Sequence, residues 1–312
     1  MKQIRYQRWD VFTNQPFAGN QLAVIPDADN IGSDAMLRIA NEFALPETAF
    51  VVSATDRTCN SRIRIFTPER ELPMAGHPTI GTTFALAKVE AIPKGVDQVR
   101  LELGIGPTVV ELEWADSGLR MAWMTQEAPD LGPYCDDVRA LSKMLGIDYI
   151  DVLAPKPCAQ ALSSGVQLLF VPLRSREAVD KAVLNRGELV SICESLKIPE
   201  CPVYIFSIEK RDDGATTYSR MFAPVFGISE DPATGGASGP LAAYIGRYCP
   251  DLIPEDGHMV NVQGVKMGRP SRILMSLTKP NPESTRILVG GEAVYIGEGV
   301  LSIDASAPRG AT

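Results

Sequence analysis

Two segments of this 312-residue chain, Thr79 to Val89 (TIGTTFALAKV) and Gly236 to Tyr248 (GASGPLAAYIGRY), read as helices that are apolar or small on nearly every side. A helix without a polar face is tolerated only where protein surrounds it. Most of the remaining sequence consists of short runs rich in Val, Ile, Phe and Thr, punctuated by Gly, Pro and Asn, which is the pattern of strands. Such runs include Ile4 to Phe12, Gln21 to Ile25, Ala49 to Ser53 and Arg62 to Thr67 in the first half. The second half has Val166 to Leu173, Val203 to Glu209, Val260 to Met267, Ala293 to Ile296 and Val300 to Ile303. A strand-rich chain that must bury two helices completely is solved most simply by curling a sheet around each.

The two segments also align with one another, GHPTIGTTFALA from Gly76 over GASGPLAAYIGR from Gly236, about half a chain apart. This weak repeat predicts an α+β protein of two similar domains, residues 1–126 and 127–297. The join falls in Glu127-Ala128-Pro129-Asp130-Leu131-Gly132-Pro133, where turn residues interrupt the strand pattern. Three further helices are amphipathic. Ser33 is placed to cap one that carries Met36, Ile39, Ala40 and Phe43 on one stripe; Val138, Leu141 and Leu145 mark a second, and Leu189, Cys193 and Leu196 a third.

Charge and composition narrow the function. A net charge of −8 opposes a surface built to neutralise phosphates, so neither nucleic acid nor an anionic membrane is an expected partner. No apolar run follows the first ten residues as a leader would require, and the longest, Leu168 to Leu173, is too short to span a bilayer. The expected setting is the cytoplasm. Six cysteines (Cys59, Cys135, Cys158, Cys193, Cys201, Cys249) show no CxxC pair and no Cys/His knot, so no metal site is expected and the thiols read as reduced. With two histidines in the chain, a catalytic one must be His77 or His258. Gly104-Ile105-Gly106-Pro107-Thr108-Val109 lacks the third glycine of a dinucleotide fingerprint, and no GxSxG elbow is present.

What remains are the two Gly-bearing loops ahead of the buried helices, Ala75-Gly76-His77-Pro78 and Asp231-Pro232-Ala233-Thr234-Gly235. Helix N-termini present unpaired N–H groups and the positive end of the dipole, so each is a natural carboxylate site. If a pseudo-twofold axis relates the domains, both would face one cleft suited to a small anionic metabolite. His77 stands in the first loop; Glu230 and Asp231 stand in the second, where an acidic residue is ordinarily a cap. Glu47, in Leu45-Pro46-Glu47-Thr48-Ala49-Phe50-Val51, lies between a helix end and a strand start, and physics alone makes it a solvated loop carboxylate.

Five ordered blocks carry a family resemblance that runs essentially end to end. They are Asp10-Val11-Phe12 with Phe17-Ala18-Gly19-Asn20-Gln21-Leu22-Ala23-Val24, Pro46-Glu47-Thr48-Ala49-Phe50, Phe66-Thr67-Pro68, Ala75-Gly76-His77-Pro78-Thr79-Ile80-Gly81-Thr82, and Glu230-Asp231-Pro232-Ala233-Thr234-Gly235. The chain resembles the phenazine-biosynthesis PhzF-like family, within the diaminopimelate epimerase-like fold. The resemblance implies two pseudo-symmetric domains, each a mixed β-sheet or barrel around a central helix, with the C-terminal segment 298–312 completing the first. It implies no cofactor, and a homodimer. It further implies an isomerase in which Glu47 is the general acid/base, His77 and Asp231 bind, polarise or assist, and Asn20, Gly76, Thr234, Gly235 and Gly236 hold the substrate.

Epimerases and racemases of this fold use a cysteine at each helix start. By the internal repeat those places are Gly76 and Gly236 here, so two-cysteine racemisation is not available to the chain. Family members often carry a small hydroxyl residue where Gly236 stands, which separates this chain's substrate contacts from those for the phenazine precursor. Two other readings stand beside the proton-shifting isomerase: an amino-acid racemase or epimerase, and a catalytically vestigial scaffold that binds a protein partner.

Overall fold

The computed structural model describes residues 2–153, 158–281 and 284–303, and several of its strands, Val203–Ser207 and Thr217–Ala223 among them, are buried along their whole length, as strands covered on both faces are. The chain divides into two units: Met1–Phe17, Gln21–Met124 and Gly291–Thr312 form the first, and Ala18–Asn20 with Thr125–Gly290 the second. Of the segment 298–312 expected to complete the first domain, residues 304–312 lie outside the described residues.

Unit 1 is a mixed sheet around a helix. β1 (Lys2–Val11) pairs antiparallel with the C-terminal strand Ala293–Ile303, from Lys2 opposite Ile303 to Val11 opposite Ala293. That strand is continuous where the sequence suggested two pieces, because Gly299 lies flat beneath Tyr6: a Cβ there would meet the Tyr6 Oη at 2.6 Å. β2 (Asn20–Ile25) runs parallel to β3 (Glu47–Val52), and β3 antiparallel to β4 (Ser61–Phe66). The short β5 (Glu71–Leu72) borders β4, which also runs parallel to β6 (Gln98–Leu103). β7 (Gly106–Ala115) and β8 (Gly118–Gln126) close the meander. α1 (Ser33–Phe43) lays Ala35, Met36, Ile39 and Ala40 on this sheet. Ser33 is its first helical residue and not its cap: Gly32 holds the cap position, and the Ser33 hydroxyl accepts from Arg64 at 3.0 Å.

α2 (Gly76–Lys88) is the apolar helix read from the sequence, and every residue from Gly76 to Leu86 is buried. It sits against β1, β3 and β4. Gly81 permits the approach, since a Cβ there would meet Leu22 Cδ2 at 2.6 Å and Val11 Cγ2 at 2.7 Å. Side chains such as Ile80, fully removed from water, contribute about 1.5–3 kcal/mol each.

Unit 2 repeats the plan with an added outer layer. β9 (Asp130–Cys135) and β10 (Ala159–Ser163) pair antiparallel, and the turn-like Gly132-Pro133 falls within this strand, at the irregularity in the ladder. β11 (Gln167–Leu173) lies antiparallel to β10 and parallel to β12 (Val203–Ser207). β13 (Thr217–Ala223) follows, flanked by β14 (Ile228–Asp231) and, in parallel, by β15 (His258–Gln263). β16 (Ser271–Asn281) and β17 (Ser284–Gly291) complete it. β15 ends at Gln263, short of the expected Met267, because Gly264 turns to φ +78° where any Cβ would strike Arg269 O and Pro232 O within 2.5 Å.

One face of this sheet packs Leu162, Phe170, Tyr204, Phe206, Met259 and Met275 on the second apolar helix. The other carries α3 (Val138–Leu145), α4 (Arg176–Lys181) and α5 (Arg186–Leu196) over a core that includes Leu141, Val179, Leu189 and Val203. The second apolar helix, α6 (Gly235–Tyr248), buries Gly235, Ala237 through Ala242, Tyr244 and Ile245. Among the described residues no helix is long and apolar enough to cross a membrane.

Candidate active site

Glu47 is the first residue of β3 and not a loop residue. Ala44, in the left-handed conformation at φ +49°, stops α1; Leu45 and Pro46 follow, and the buried run Thr48-Ala49-Phe50-Val51 pins the strand that begins at Glu47. The carboxyl is thereby fixed on a rigid element, with its side chain 13% exposed. His77, the second residue of α2, is brought to it: Nε2 lies 3.3 Å from Glu47 Oε2. Burial holds the imidazole far below its usual range, at about 3, against a smaller opposing effect from a hydrogen bond with the Gln21 backbone. His77 is therefore neutral at physiological pH, and the contact with Glu47 is polar without being an ion pair.

Asp231 closes β14 and is also buried, but among donors. Asn20 Nδ2 donates to its Oδ1 at 2.8 Å and to Ala233 O at 2.9 Å, and the Thr234 hydroxyl donates to its Oδ2. Burial pushes the carboxyl up to about 6, with the two hydrogen bonds working in the opposite direction and the neighbouring Glu230 charge adding to the rise. Glu230 itself is occupied elsewhere: both of its oxygens accept from Arg220 at 2.8 Å, and Arg220 also donates to the carbonyls of Val179 and Ala182. Asn20 spends amide protons on Asp231 and Ala233, so in this unit it is a partner of Asp231.

The two buried helices start alike. Neither α2, entered from Ala75, nor α6, entered from Thr234, has a side-chain cap, whereas Asp137, Ser175 and Asn185 cap α3, α4 and α5. In each, a hydroxyl four residues on donates back to the residue at the cap position: Thr79 to Ala75 O at 2.7 Å and Ser238 to Thr234 O at 3.1 Å. The N–H groups around Gly76, Gly235 and Gly236 are thus left to backbone or ligand, as an anion site requires. A Cβ placed on Gly236 would meet nothing within 4 Å among the described residues.

Sequence reasoning did not find Gln263, Asn261 or Tyr204, all fully buried and hydrogen-bonded toward Asp231. A signal existed in Val260-Asn261-Val262-Gln263, two amides at strand spacing on the face turned to the core. His258 is exposed at the start of β15, away from these groups in the register. The described thiols do not occupy helix starts: Cys135 ends β9, Cys193 is inside α5, and Cys249 follows the last residue of α6.

Residues 9–299 match the family described as phenazine biosynthesis-like protein. The chain belongs to that family. A curated relative, the trans-2,3-dihydro-3-hydroxyanthranilate isomerase of Pseudomonas chlororaphis, is 34% identical over 296 residues, which cover 94% of this chain and 97% of that one. The crystal structure of a PhzF-family phenazine biosynthesis protein from Bacillus anthracis superposes with a TM-score of 0.86 at 26% identity, covering 97% of this chain and all of that one. A hydroxyproline epimerase from Agrobacterium vitis shares the fold alone, with a TM-score of 0.64 at 13% identity, over 99% of this chain and 93% of its own. This phenazine biosynthesis-like protein thus has the epimerase-type α+β fold, and isomerase is the class of activity its curated relatives carry.

Proposed function

We propose that the protein is a cofactor-independent isomerase in which Glu47 takes a proton from one carbon of a small carboxylate-bearing metabolite and returns it to another. The observation that carries this reading is the Glu47 carboxyl, fixed at a strand start 3.3 Å from an imidazole that burial keeps neutral. A charged histidine would form an ion pair with the carboxylate; a neutral one offers a polar group to the substrate without adding a charge beside it. A single carboxylate that both removes and delivers the proton stays on one face of the substrate, which favours an allylic shift over inversion.

Asp231, with Asn20 and the Thr234 hydroxyl behind it, binds and polarises the substrate's polar groups, while the N–H groups of Gly76, Gly235 and Gly236 hold its carboxylate. Cyclohexadiene-type acids are the substrate class, by analogy with the compound in the Pseudomonas chlororaphis relative's name. Gly236 supplies no side-chain donor, so the preferred acid differs from that compound in the group that such a donor would meet.

Turnover of trans-2,3-dihydro-3-hydroxyanthranilate and a panel of related acids in deuterated water, by wild type and Glu47→Gln, tests the reading. Deuterium should enter at the carbon that receives the proton. Glu47→Gln should lose about 10²–10⁴-fold in kcat with binding retained; turnover at the wild-type rate would end the proposal. Deuterium at Cα of free amino acids would point instead to a racemase.

A further inference from the structure

In unit 2 a line of buried, hydrogen-bonded polar side chains runs to Asp231. Asn261 Oδ1 accepts from Thr217 Oγ1 and from Ser219 Oγ, each at 2.9 Å, which turns its Nδ2 toward Tyr204, whose oxygen accepts at 2.8 Å. The phenol donates to Gln263 Oε1 at 3.0 Å and also lies 2.9 Å from Ser219 Oγ, a contact in which either hydroxyl can donate. Two backbone groups fix the Gln263 amide in that orientation: the Thr234 N–H donates to Oε1 at 3.1 Å, and Nε2 donates to Asp231 O at 2.8 Å. The same Nε2 donates to Thr234 Oγ1 at 2.9 Å, and the Thr234 hydroxyl then gives its proton to Asp231 Oδ2.

We infer that Gln263 and Tyr204 are positioning residues, which act through Thr234 to hold Asp231 ionised and aimed as an acceptor for a donor group of the substrate. This rests on the reading of Asp231 as a substrate-binding residue. Burial alone would protonate this carboxyl, and its charged surroundings do not oppose that: Glu230 on β14 raises it further, and Arg220 on β13 is committed to Glu230. From the other elements the described residues hydrogen-bonded to it are neutral donors, Asn20 of β2, Thr234 at α6 and, through Thr234, Gln263 of β15 and Tyr204 of β12. Hydrogen bonds to the charged form are what keep it available near neutral pH.

Carbon NMR of the full-length protein labelled with ¹³C at aspartate carboxyls, with the Asp231 signal assigned by Asp231→Asn, reads the ionisation directly and without turnover. Removing the last donor in Thr234→Val should raise the Asp231 midpoint by about one pH unit, and Thr234→Ser should restore it. Tyr204→Phe, which removes only the more distant donor, should raise it by about half a unit. The acid limb of kcat/KM should move with the carboxyl in each case. Tyr244→Phe, a buried tyrosine in the same core, should leave the midpoint in place. Midpoints for Thr234→Val and Tyr204→Phe within about 0.2 unit of wild type, or an equal shift in Tyr244→Phe, would overturn the inference. If Tyr204→Phe does not fold, the Thr234→Val and Thr234→Ser pair decides alone. Because the titration needs no substrate, its outcome is separate from that of Glu47→Gln.

Discussion

The helix starts at Gly76 and Gly235 share a backbone design and differ in how each treats the titratable group beside it. Both lack a side-chain cap and both use a hydroxyl four residues on to tie the cap carbonyl. At Gly76 the group is a histidine, and burial makes it neutral, down at about 3. At Gly235 it is an aspartate, raised to about 6 by the same burial but surrounded by a directed set of donors. The same desolvation shifts a base down and an acid up, so one helix start holds a neutral polar ring and the other an acid poised near neutral pH.

The difference predicts opposite responses of stability to pH. For His77 the folded value near 3 lies below the ordinary 6.5, so the unfolded chain takes up a proton first as pH falls. Its contribution is complete above 6.5 and is lost between 6.5 and 3, a span worth about 5 kcal/mol. For Asp231 the folded value near 6 lies above the ordinary 3.8, so stability is greatest below 3.8 and falls as pH rises to 6, by about 3 kcal/mol. In wild type these partly cancel between about pH 4 and 6, where the two windows overlap. Urea midpoints of His77→Gln should therefore rise toward acid, and those of Asp231→Asn should fall steeply toward acid. Two variants that tilt the same way would break the comparison.

A smaller effect sharpens it further. Gly81 in α2 is filled against Leu22 and Val11, so Gly81→Val should cost about 2 kcal/mol by thermal denaturation. Gly236 in the first turn of α6 opens onto free space, and Gly236→Ser should change stability by less than about 0.5 kcal/mol. Any change that Gly236→Ser makes in substrate preference is then a matter of the added hydroxyl and not of folding.

The legible parts of the sequence were those where a single local rule decides. Two all-apolar helices in a strand-rich chain forced burial of both, and α2 and α6 are buried along nearly all of their length. Asp130–Cys135 was not legible as a strand, since Gly132 and Pro133 are turn residues by propensity and become part of β9 only because β10 supplies a partner. Ser33 looked like a cap by composition, yet Gly32 takes that position while the Ser33 hydroxyl receives Arg64. Glu47, His77 and Asp231 stood out in the sequence through the motifs around them. Gln263 and Tyr204 did not, because the line of donors joins residues that are 59 positions apart.

By itself the sequence determined the α+β class, the doubled plan and the residue types available for chemistry, since these depend on periodicity, composition and short motifs. Only the tertiary structure decided the charge states. Whether His77 carries a proton or Asp231 loses one depends on which atoms exclude water from them and which donors reach them, and those atoms come from distant parts of the chain.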